Sequence, residues 1–264
     1  MLFAVVLLVC GAISVGAVDT NIALAPLSEK QLTAIKFEQK LNQQVSLALP
    51  FIDDAGRHVT LADCLDGKPA IVVLGYYECP MLCTFVLNGL VSSLQDLKPS
   101  VGETYSVIFV SIDPHETPAL AAAKKANYLK FYGRRTSAPG WHFLTGSQNS
   151  IETLAHEIGY QFAYDPLSKQ FAHPSGLTIL TGQGKVSRYF FGVEYPVADL
   201  DKALREAGSN KIGSPIAEFL FLCFHYNPIR SKYGAVIMTV VRASGVLTIV
   251  GMAGMVIFMR RRWS

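Results

Sequence analysis

Charged residues are scarce in this sequence. Asp, Glu, Lys and Arg make up 16% of the 264 residues, and the formal net charge is only +3. Part of that positive charge belongs to three consecutive arginines near the C-terminus. Proteins that bind nucleic acids present a concentrated basic surface, which this composition does not indicate. We therefore expect no nucleic-acid partner.

The cysteines do not have the pattern of a disulfide framework. There are five of them, an odd number, and their spacing is irregular. Small secreted domains that depend on disulfides carry a dense and even set instead. The informative feature is one close pair, Cys79 and Cys83; the other three are Cys10, Cys64 and Cys223.

Apolar residues are more frequent than one globular domain needs. They make up 50% of the chain, which points to membrane segments rather than to a larger core. Residues 1–17 are apolar and end in small residues, which predicts a signal peptide cleaved before Val18. Because Cys10 follows two leucines and a valine, lipidation of Cys10 is a second interpretation of this leader.

The C-terminal region predicts one transmembrane helix over residues 234–259. Residues 243–259 are 17 consecutive uncharged residues, the lower limit for crossing a bilayer. The preceding residues lengthen the span and include Arg242, which we expect at the outer interface. The arginines of the tail, 260–264, indicate that it lies in the cytoplasm, because positive charge stays on that side. The soluble domain is then expected in the periplasm of a bacterium, anchored in the inner membrane.

Between these ends the sequence predicts one α/β domain over residues 45–207. Apolar runs typical of strands alternate with segments of helical periodicity and are flanked by two hairpins, so we expect a mixed central sheet. An extended segment, 18–44, leads into this domain, and an aromatic juxtamembrane linker, 208–233, leaves it. The predicted strands are 45–52, 58–61, 70–74, 105–112, 141–144, 177–181 and 185–191, and the predicted helices are 84–97, 119–132, 150–159 and 199–207.

Cys79 and Cys83 lie where a predicted buried strand passes into a predicted helix. Pro80 suits the first helical turn, since it lacks only an N–H that would be unpaired there. Cys83 follows Cys79 by one turn, so both sulfurs are expected on one face. The positive end of the helix dipole favours thiolates, whereas the carboxylate of Glu78 opposes them. Two converging thiolates suit a soft ion such as Cu(I), or a reversible disulfide.

The cysteine pair and three further motifs resemble the Sco/SenC family. The resemblance covers residues 45–207 and implies a thioredoxin-like fold, in agreement with the predicted α/β order. The three motifs are Val-Ser-Ile-Asp-Pro at 110–114, Trp-His-Phe-Leu-Thr-Gly at 141–146, and a lone histidine, His173, before the strand at 177–180.

The resemblance implies a copper site made by Cys79, Cys83 and His173, in a protein that helps to assemble the copper centre of cytochrome oxidase. We expect His173 on a loop, where the following Pro174 biases it towards extended backbone. Imidazole is a good third ligand for copper. Asp113 has two interpretations. It closes a strand and caps the next turn, or it acts behind the ligands by holding loop backbone or biasing thiol protonation.

Three functions are open on the sequence alone. The first is a membrane-anchored copper-binding protein that delivers copper to, or prepares, the copper-accepting subunit of a terminal oxidase. The second is a thiol-disulfide oxidoreductase, in which Cys79 and Cys83 cycle between dithiol and disulfide and reduce that subunit's cysteines. The third is a peroxidase of the peroxiredoxin type. It would need an activating arginine and threonine beside the cysteine, and the tight cysteine pair is not that arrangement.

A second copper site near the membrane is a further hypothesis. Cys223 and His225, with Met238, offer suitable ligands outside the family resemblance. An aromatic belt at headgroup level explains the segment around Cys223 better, because it is dense in phenylalanine and tyrosine.

Overall fold

The structure is a computed structural model that describes residues 35–79, 82–213, 222–223 and 248. The predicted signal peptide lies outside the described residues. So do the predicted linker beyond residue 213 and the predicted transmembrane helix, apart from the three isolated positions just named. The side chains of Cys223, His225 and Met238 are outside them as well. Within the described ranges, no helix is long and apolar enough to cross a membrane.

The elements follow the predicted order. Each strand and helix predicted between residues 45 and 207 has a counterpart whose ends differ by a few residues, except that the strand predicted over 45–52 is reduced to Pro50–Ile52. The strands are β1 Pro50–Ile52, β2 His58–Thr60, β3 Ala70–Gly75, β4 Ser106–Ser111, β5 Trp141–Leu144, β6 Ala163–Asp165, β7 Gln170–Pro174, β8 Gly176–Leu180, β9 Val186–Phe191 and β10 Leu222–Cys223. The helices are α1 Leu61–Leu65, α2 Leu82–Asp96, α3 Pro118–Tyr132, α4 Gln148–Glu157 and α5 Val197–Gly208, and Arg135–Gly140 forms a 3-10 helix.

Five strands form the central sheet in the order β5-β4-β3-β8-β9. Strands β3, β4 and β5 are parallel. Strand β8 is antiparallel to both of its neighbours, β3 and β9. The predicted mixed α/β sheet is therefore confirmed. In such sheets ligand sites collect beyond the carboxyl ends of the parallel strands, where the loops that follow β3 and β4 lie side by side.

A separate apolar core covers each face of this sheet, because successive side chains of a strand point to opposite faces. Val73 and Phe109 face one side, where they pack with residues of α2, α3 and α5. Val72 and Ile108 face the other side and pack with residues of α1 and α4. The near-continuous apolar strands predicted from the sequence are thus buried on both faces.

The connection from β4 to α3 has well-defined ends. The side chain of Thr117 accepts the backbone N–H of Leu120, and Pro118 occupies the start of the helix, where its missing N–H is harmless. Helix α3 ends at Gly133, whose φ of 79° is the left-handed conformation that glycine tolerates. The cap at Thr117 therefore fixes the end of the loop between β4 and α3, beside the loop that follows β3.

His173 lies on a strand, so its predicted position on a loop is wrong. Strands β6 and β7 form a hairpin in which Ala163 pairs with Ala172, and Lys169, with φ of 55°, helps to make the turn. The strands are too short to show a clear two-residue periodicity, and Pro174 ends the second one. Helix α1 and the 3-10 helix are also absent from the prediction, for the same reason of length.

Candidate metal centre

The loop between β3 and α2 carries both cysteines. Cys79 lies between the end of β3 and the start of α2 and is half-buried, whereas Cys83 lies in the first turn of α2 and is 2% exposed. Gly75 makes room for this packing, because a Cβ atom there would lie 3.0 Å from the Cys83 sulfur. Pro80, the predicted first-turn proline, is outside the described residues.

His173 approaches the cysteines from strand β7. It is 2% exposed, and its Nε2 atom lies 3.1 Å from the Sγ atom of Cys83. One ligand atom from each of Cys79, Cys83 and His173 lies within 4.8 Å of the other two. Among the described residues, this is the only group of three or more Cys, His, Asp and Glu side chains that converges in this way. The fold thus brings together the three residues that the sequence predicts as ligands.

The other ring nitrogen of His173 faces oxygen atoms. Its Nδ1 atom is 2.7 Å from the hydroxyl of Tyr160 and 2.9 Å from the carbonyl oxygen of Pro174. A carbonyl can only accept, so we assign the proton to Nδ1. Tyr160 is itself anchored, since its hydroxyl can donate to the carbonyl of Leu74 at 3.0 Å. This arrangement leaves the lone pair of Nε2 directed at the cysteines, as a metal ligand requires.

Tyr76 covers the site on the cysteine side. The edge of its ring meets His173 with the two ring centroids 5.9 Å apart, and its hydroxyl is hydrogen-bonded to the Cys79 side chain. Burial, and then the neighbouring sulfurs of Cys79 and Cys83, raise the pKa of Tyr76 well above its usual range. The hydroxyl therefore stays protonated and is available as a donor to sulfur. Phe171 packs against the same ring and extends the apolar wall.

Two carboxylates lie on the loop after β4, and they have different contacts. Asp113 accepts the backbone N–H of His115 at 2.9 Å and pairs with Nδ1 of the same histidine. It therefore holds the backbone of its own loop. Glu116, three residues later, accepts backbone N–H groups of the cysteine loop. The sequence predicts a role behind the ligands for Asp113 alone, whereas the contacts to the cysteine loop belong to Glu116.

Sequence reasoning missed three residues that shape this site. Tyr76 had a signal, because it lies only three residues before Cys79. Tyr160 and Glu116 had none, because their contacts join positions far apart in the chain. Only the pairing of β3 with β4 and the position of the β6–β7 hairpin bring them to the cysteines.

The arrangement can do two kinds of chemistry. Two sulfur atoms and one imidazole nitrogen are a good ligand set for a soft or borderline metal ion. The same two cysteines, both reduced in this structure, could instead form a disulfide. Cys64, in α1, does not belong to this group, and burial raises the pKa of its thiol to about 12.

A thioredoxin-like α/β domain with two cysteines at a strand–helix junction and a histidine opposite them defines a class of metal-binding or thiol-redox proteins. Comparison with known families identifies which one. The family model described as SCO1/SenC matches residues 38–207, and the chain belongs to that family.

Individual relatives are distant. Protein sco1 of Schizosaccharomyces pombe is 26% identical over 120 residues, a match that spans 46% of this chain and 42% of that protein. The solved structure of BsSco, described as a member of the Sco family of cytochrome c oxidase assembly proteins with a disulfide switch, is 24% identical. It covers 67% of this chain and all of its own, with a TM-score of 0.52. Arabidopsis thaliana ScoI, solved with copper bound, is 22% identical, covers 61% of this chain and 98% of its own, and gives a TM-score of 0.48. The similarity to BsSco supports the fold.

Proposed function

We propose that this protein binds copper through Cys79, Cys83 and His173 and delivers it to, or prepares, the copper centre of a terminal cytochrome oxidase. The observation that carries the proposal is the convergence of the two sulfurs and the Nε2 atom within 4.8 Å. Membership of the SCO1/SenC family supports copper as the metal. In this function copper is the cargo of the protein rather than a resident cofactor.

The chemistry of the ligands favours copper in its reduced form. Thiolates are soft ligands that select Cu(I), and an imidazole nitrogen suits both copper oxidation states. Tyr76 packs against Phe171 and against His173, which makes this side of the site apolar. The bond from Nδ1 of His173 to Pro174 or Tyr160 fixes the ring, so the third ligand is already oriented before metal arrives.

The difference in burial between the cysteines indicates how copper would leave. Cys83 and His173 are each 2% exposed, whereas Cys79 is half-buried. An incoming thiolate of an acceptor protein reaches the metal most easily on the Cys79 side. Ligand exchange would then begin at Cys79, while Cys83 and His173 hold the ion until the acceptor has taken it.

The same difference in burial supports a second candidate function, thiol-disulfide exchange. An accessible thiol beside a buried one is the arrangement in which the first attacks a partner and the second resolves the mixed disulfide. In this alternative Cys79 attacks a disulfide in the acceptor subunit, Cys83 then forms the Cys79–Cys83 disulfide, and the acceptor leaves with two thiols. One protein can have both activities at different times, because only the reduced cysteine pair can bind copper and the oxidised pair cannot.

Copper stoichiometry tests the first function. The full-length chain in detergent, reduced and metal-free, should bind about one Cu(I), because the two sulfurs and the imidazole provide one soft site. Cys79→Ser and Cys83→Ser should each abolish tight binding, whereas Cys64→Ala, the matched control, should keep it. Undiminished binding in both serine variants would exclude the site.

We further propose that the protein is anchored in the bacterial inner membrane by residues 234–259, with its α/β domain in the periplasm. The proposal depends on the apolar composition of that segment and the three arginines that follow it. A reporter enzyme active only in the cytoplasm should work when fused after Ser264 and fail when fused after Gly208. The opposite pattern would show that the orientation in the membrane is the reverse of the one proposed.

A further inference from the structure

The backbone before Cys79 is held by a buried carboxylate from the neighbouring loop. Glu116, which follows β4, is only 7% exposed. Its two oxygens accept the backbone N–H of Tyr77 at 2.8 Å and that of Glu78 at 2.7 Å. The hydroxyl of Ser111 donates to one of the same oxygens at 2.5 Å. One side chain therefore fixes the backbone N–H groups of the two residues that precede the cysteine.

Two further contacts hold the same stretch of backbone. The Nζ atom of Lys124 donates to the carbonyl of Tyr77 at 3.1 Å, and the Tyr77 hydroxyl donates to the carbonyl of Leu144 at 2.8 Å. The backbone groups of this stretch are thus held by side chains of the β4–α3 connection and of α3, and the Tyr77 ring is held by β5. The Cys79 N–H itself donates within the loop, to the carbonyl of Tyr76 at 3.4 Å, so the contacts from outside the loop act on the two residues before the cysteine.

The burial of Glu116 is unfavourable for the charged carboxylate. Burial raises its pKa above the usual value, and the hydrogen bonds from Ser111, Tyr77 and Glu78 offset this effect only in part. Two of these three hydrogen bonds come from the backbone just before Cys79, so the burial of this carboxylate is coupled to the geometry of the cysteine loop.

We propose that Glu116 is a positioning residue that holds the Cys79 sulfur at bonding distance from a metal shared with Cys83 and His173. The inference depends on the copper function proposed above. Metal–ligand distances tolerate changes of only about 0.2 Å, so a small displacement of the Glu78 peptide is enough to misplace the sulfur one residue later. Cys83 does not depend on Glu116 for its position, because it lies in the first turn of α2 and packs closely over Gly75.

The test compares two substitutions of the same kind. Glu116→Gln removes the charge and one of the two acceptors for backbone N–H groups. Glu103→Gln is the matched control, because Glu103 also accepts a backbone N–H, that of Ser100 at 3.1 Å, but precedes β4 and so lies at the opposite end of that strand. Cu(I) affinity of the full-length protein should fall at least tenfold in Glu116→Gln, about 1.4 kcal/mol, and less than twofold in Glu103→Gln. Glu116→Asp, which restores the carboxylate on a shorter side chain, should recover part of the loss.

A second measurement does not depend on copper. Hydrogen exchange of the Tyr77 and Glu78 amides, followed by NMR, should become at least tenfold faster in Glu116→Gln and should be unchanged in Glu103→Gln. The reduction potential of the Cys79–Cys83 disulfide should also shift, because the distance between the two sulfurs is no longer held. If the unsubstituted protein binds no copper, the copper function fails, and these two measurements still decide the role of Glu116.

Two outcomes would overturn the inference. One is Cu(I) affinity in Glu116→Gln within twofold of the unsubstituted protein. The other is unchanged amide exchange together with an unchanged potential.

Should Glu116→Gln fail to fold, Lys124→Met removes the hydrogen bond to the carbonyl of Tyr77 and should lower copper affinity severalfold. Its control is Lys130→Met, an exposed lysine in the last turn of the same helix. Equal affinities in these two lysine variants would also count against the inference.

Discussion

The hydroxyl of Tyr160 lies 2.7 Å from the Nδ1 atom of His173, on the side of the ring that faces away from Cys83. Tyr160 lies just after the end of α4 and His173 lies on β7, and both side chains are buried. The consequence of this contact is that one nitrogen of His173 is occupied and oriented while the other is directed at the cysteines. Removing a hydrogen-bond partner of a metal ligand typically lowers metal affinity by ten- to a hundredfold.

Tyr160→Phe should therefore lower copper affinity by about tenfold, the lower end of that range, because the Pro174 carbonyl remains as a partner for Nδ1. It should also lower the free energy of unfolding by about 1 kcal/mol, through the lost bond to the Leu74 carbonyl. Tyr189→Phe is the control, since the Tyr189 hydroxyl is equally buried and donates to the Ile158 carbonyl at 2.9 Å. Copper titration and chemical denaturation of both variants should show similar destabilisation but a loss of affinity only in Tyr160→Phe. Equal affinities would refute the role of Tyr160.

The three cysteines of the domain should differ in their rates of alkylation. Cys79 is half-buried, whereas Cys83 and Cys64 are each 2% exposed. Iodoacetamide should label Cys79 first in the reduced native protein, with the other two protected until unfolding. Peptide mass spectrometry over time measures the order. Labelling of Cys83 before Cys79 would contradict the proposed direction of ligand exchange.

Most of the fold was predictable because its central strands and helices are long enough to show their character in the sequence. Strands β3 and β4 are continuous apolar runs, α2 has apolar residues at helical spacing, and α3 is rich in alanine and lysine, which favour helix. The β6–β7 hairpin is different. Its strands are short, and their stability comes from packing against Tyr76 and the cysteine loop rather than from local pattern. The strand position of His173 could not be predicted for that reason.

The candidate site was predictable only as far as its motifs reach. Cys79 and Cys83 are close in sequence, and the family resemblance supplied His173. Glu116 and Tyr160 belong to no local pattern, and their roles depend on which strands are neighbours in the sheet. The sequence therefore identifies the ligands more easily than the groups that orient them.

A half-buried histidine outside the site, His142, should make stability depend on pH. Burial first, and then the nearby Lys125, lower the pKa of His142 to about 4 from its ordinary value of 6.5. Asp54 and Asp53 oppose this shift, and Arg57 adds to it. Because the pKa is lower in the folded state, the unfolded chain binds the extra proton between pH 6.5 and 4. The stabilisation is thus complete above about pH 6.5 and is lost as the pH falls towards 4.

His142→Gln should flatten the stability curve over that interval. Thermal unfolding followed by circular dichroism at half-unit steps of pH measures the effect. The melting temperature of the unsubstituted protein should fall more steeply from pH 6.5 to 4 than that of the variant. Parallel curves would show that His142 does not titrate differently in the two states.

Substitution of His173 separates copper delivery from thiol-disulfide exchange. Exchange needs two sulfurs, an accessible thiolate and a suitable leaving group, but no imidazole. Copper binding does gain from a third ligand, since two thiolates leave a divalent ion with too few ligands. His173→Ala should therefore weaken Cu(II) binding by more than about 100-fold, since loss of a ligand should cost more than loss of a ligand's hydrogen-bond partner. Cu(I) binding should weaken less. The Cys79–Cys83 reduction potential should stay within about 30 mV, which corresponds to a tenfold change in the exchange equilibrium.

The decisive measurement is oxidase assembly in cells that lack the native protein and produce His173→Ala. Tyr189→Phe, which alters a buried hydroxyl of the same core, is the control for reduced stability and should assemble oxidase normally. Failed assembly with an unchanged potential means that copper handling is the function, because the thiol chemistry is then intact and only the third ligand is missing. Full assembly means that the cysteines act as a reductant and that the copper proposal is wrong. A potential that shifts by more than about 30 mV would show that the imidazole, 3.1 Å from the Cys83 sulfur, also controls the thiols electrostatically. In that case His173→Gln, which keeps a polar side chain but removes the titrating ring, would replace alanine in the same assay.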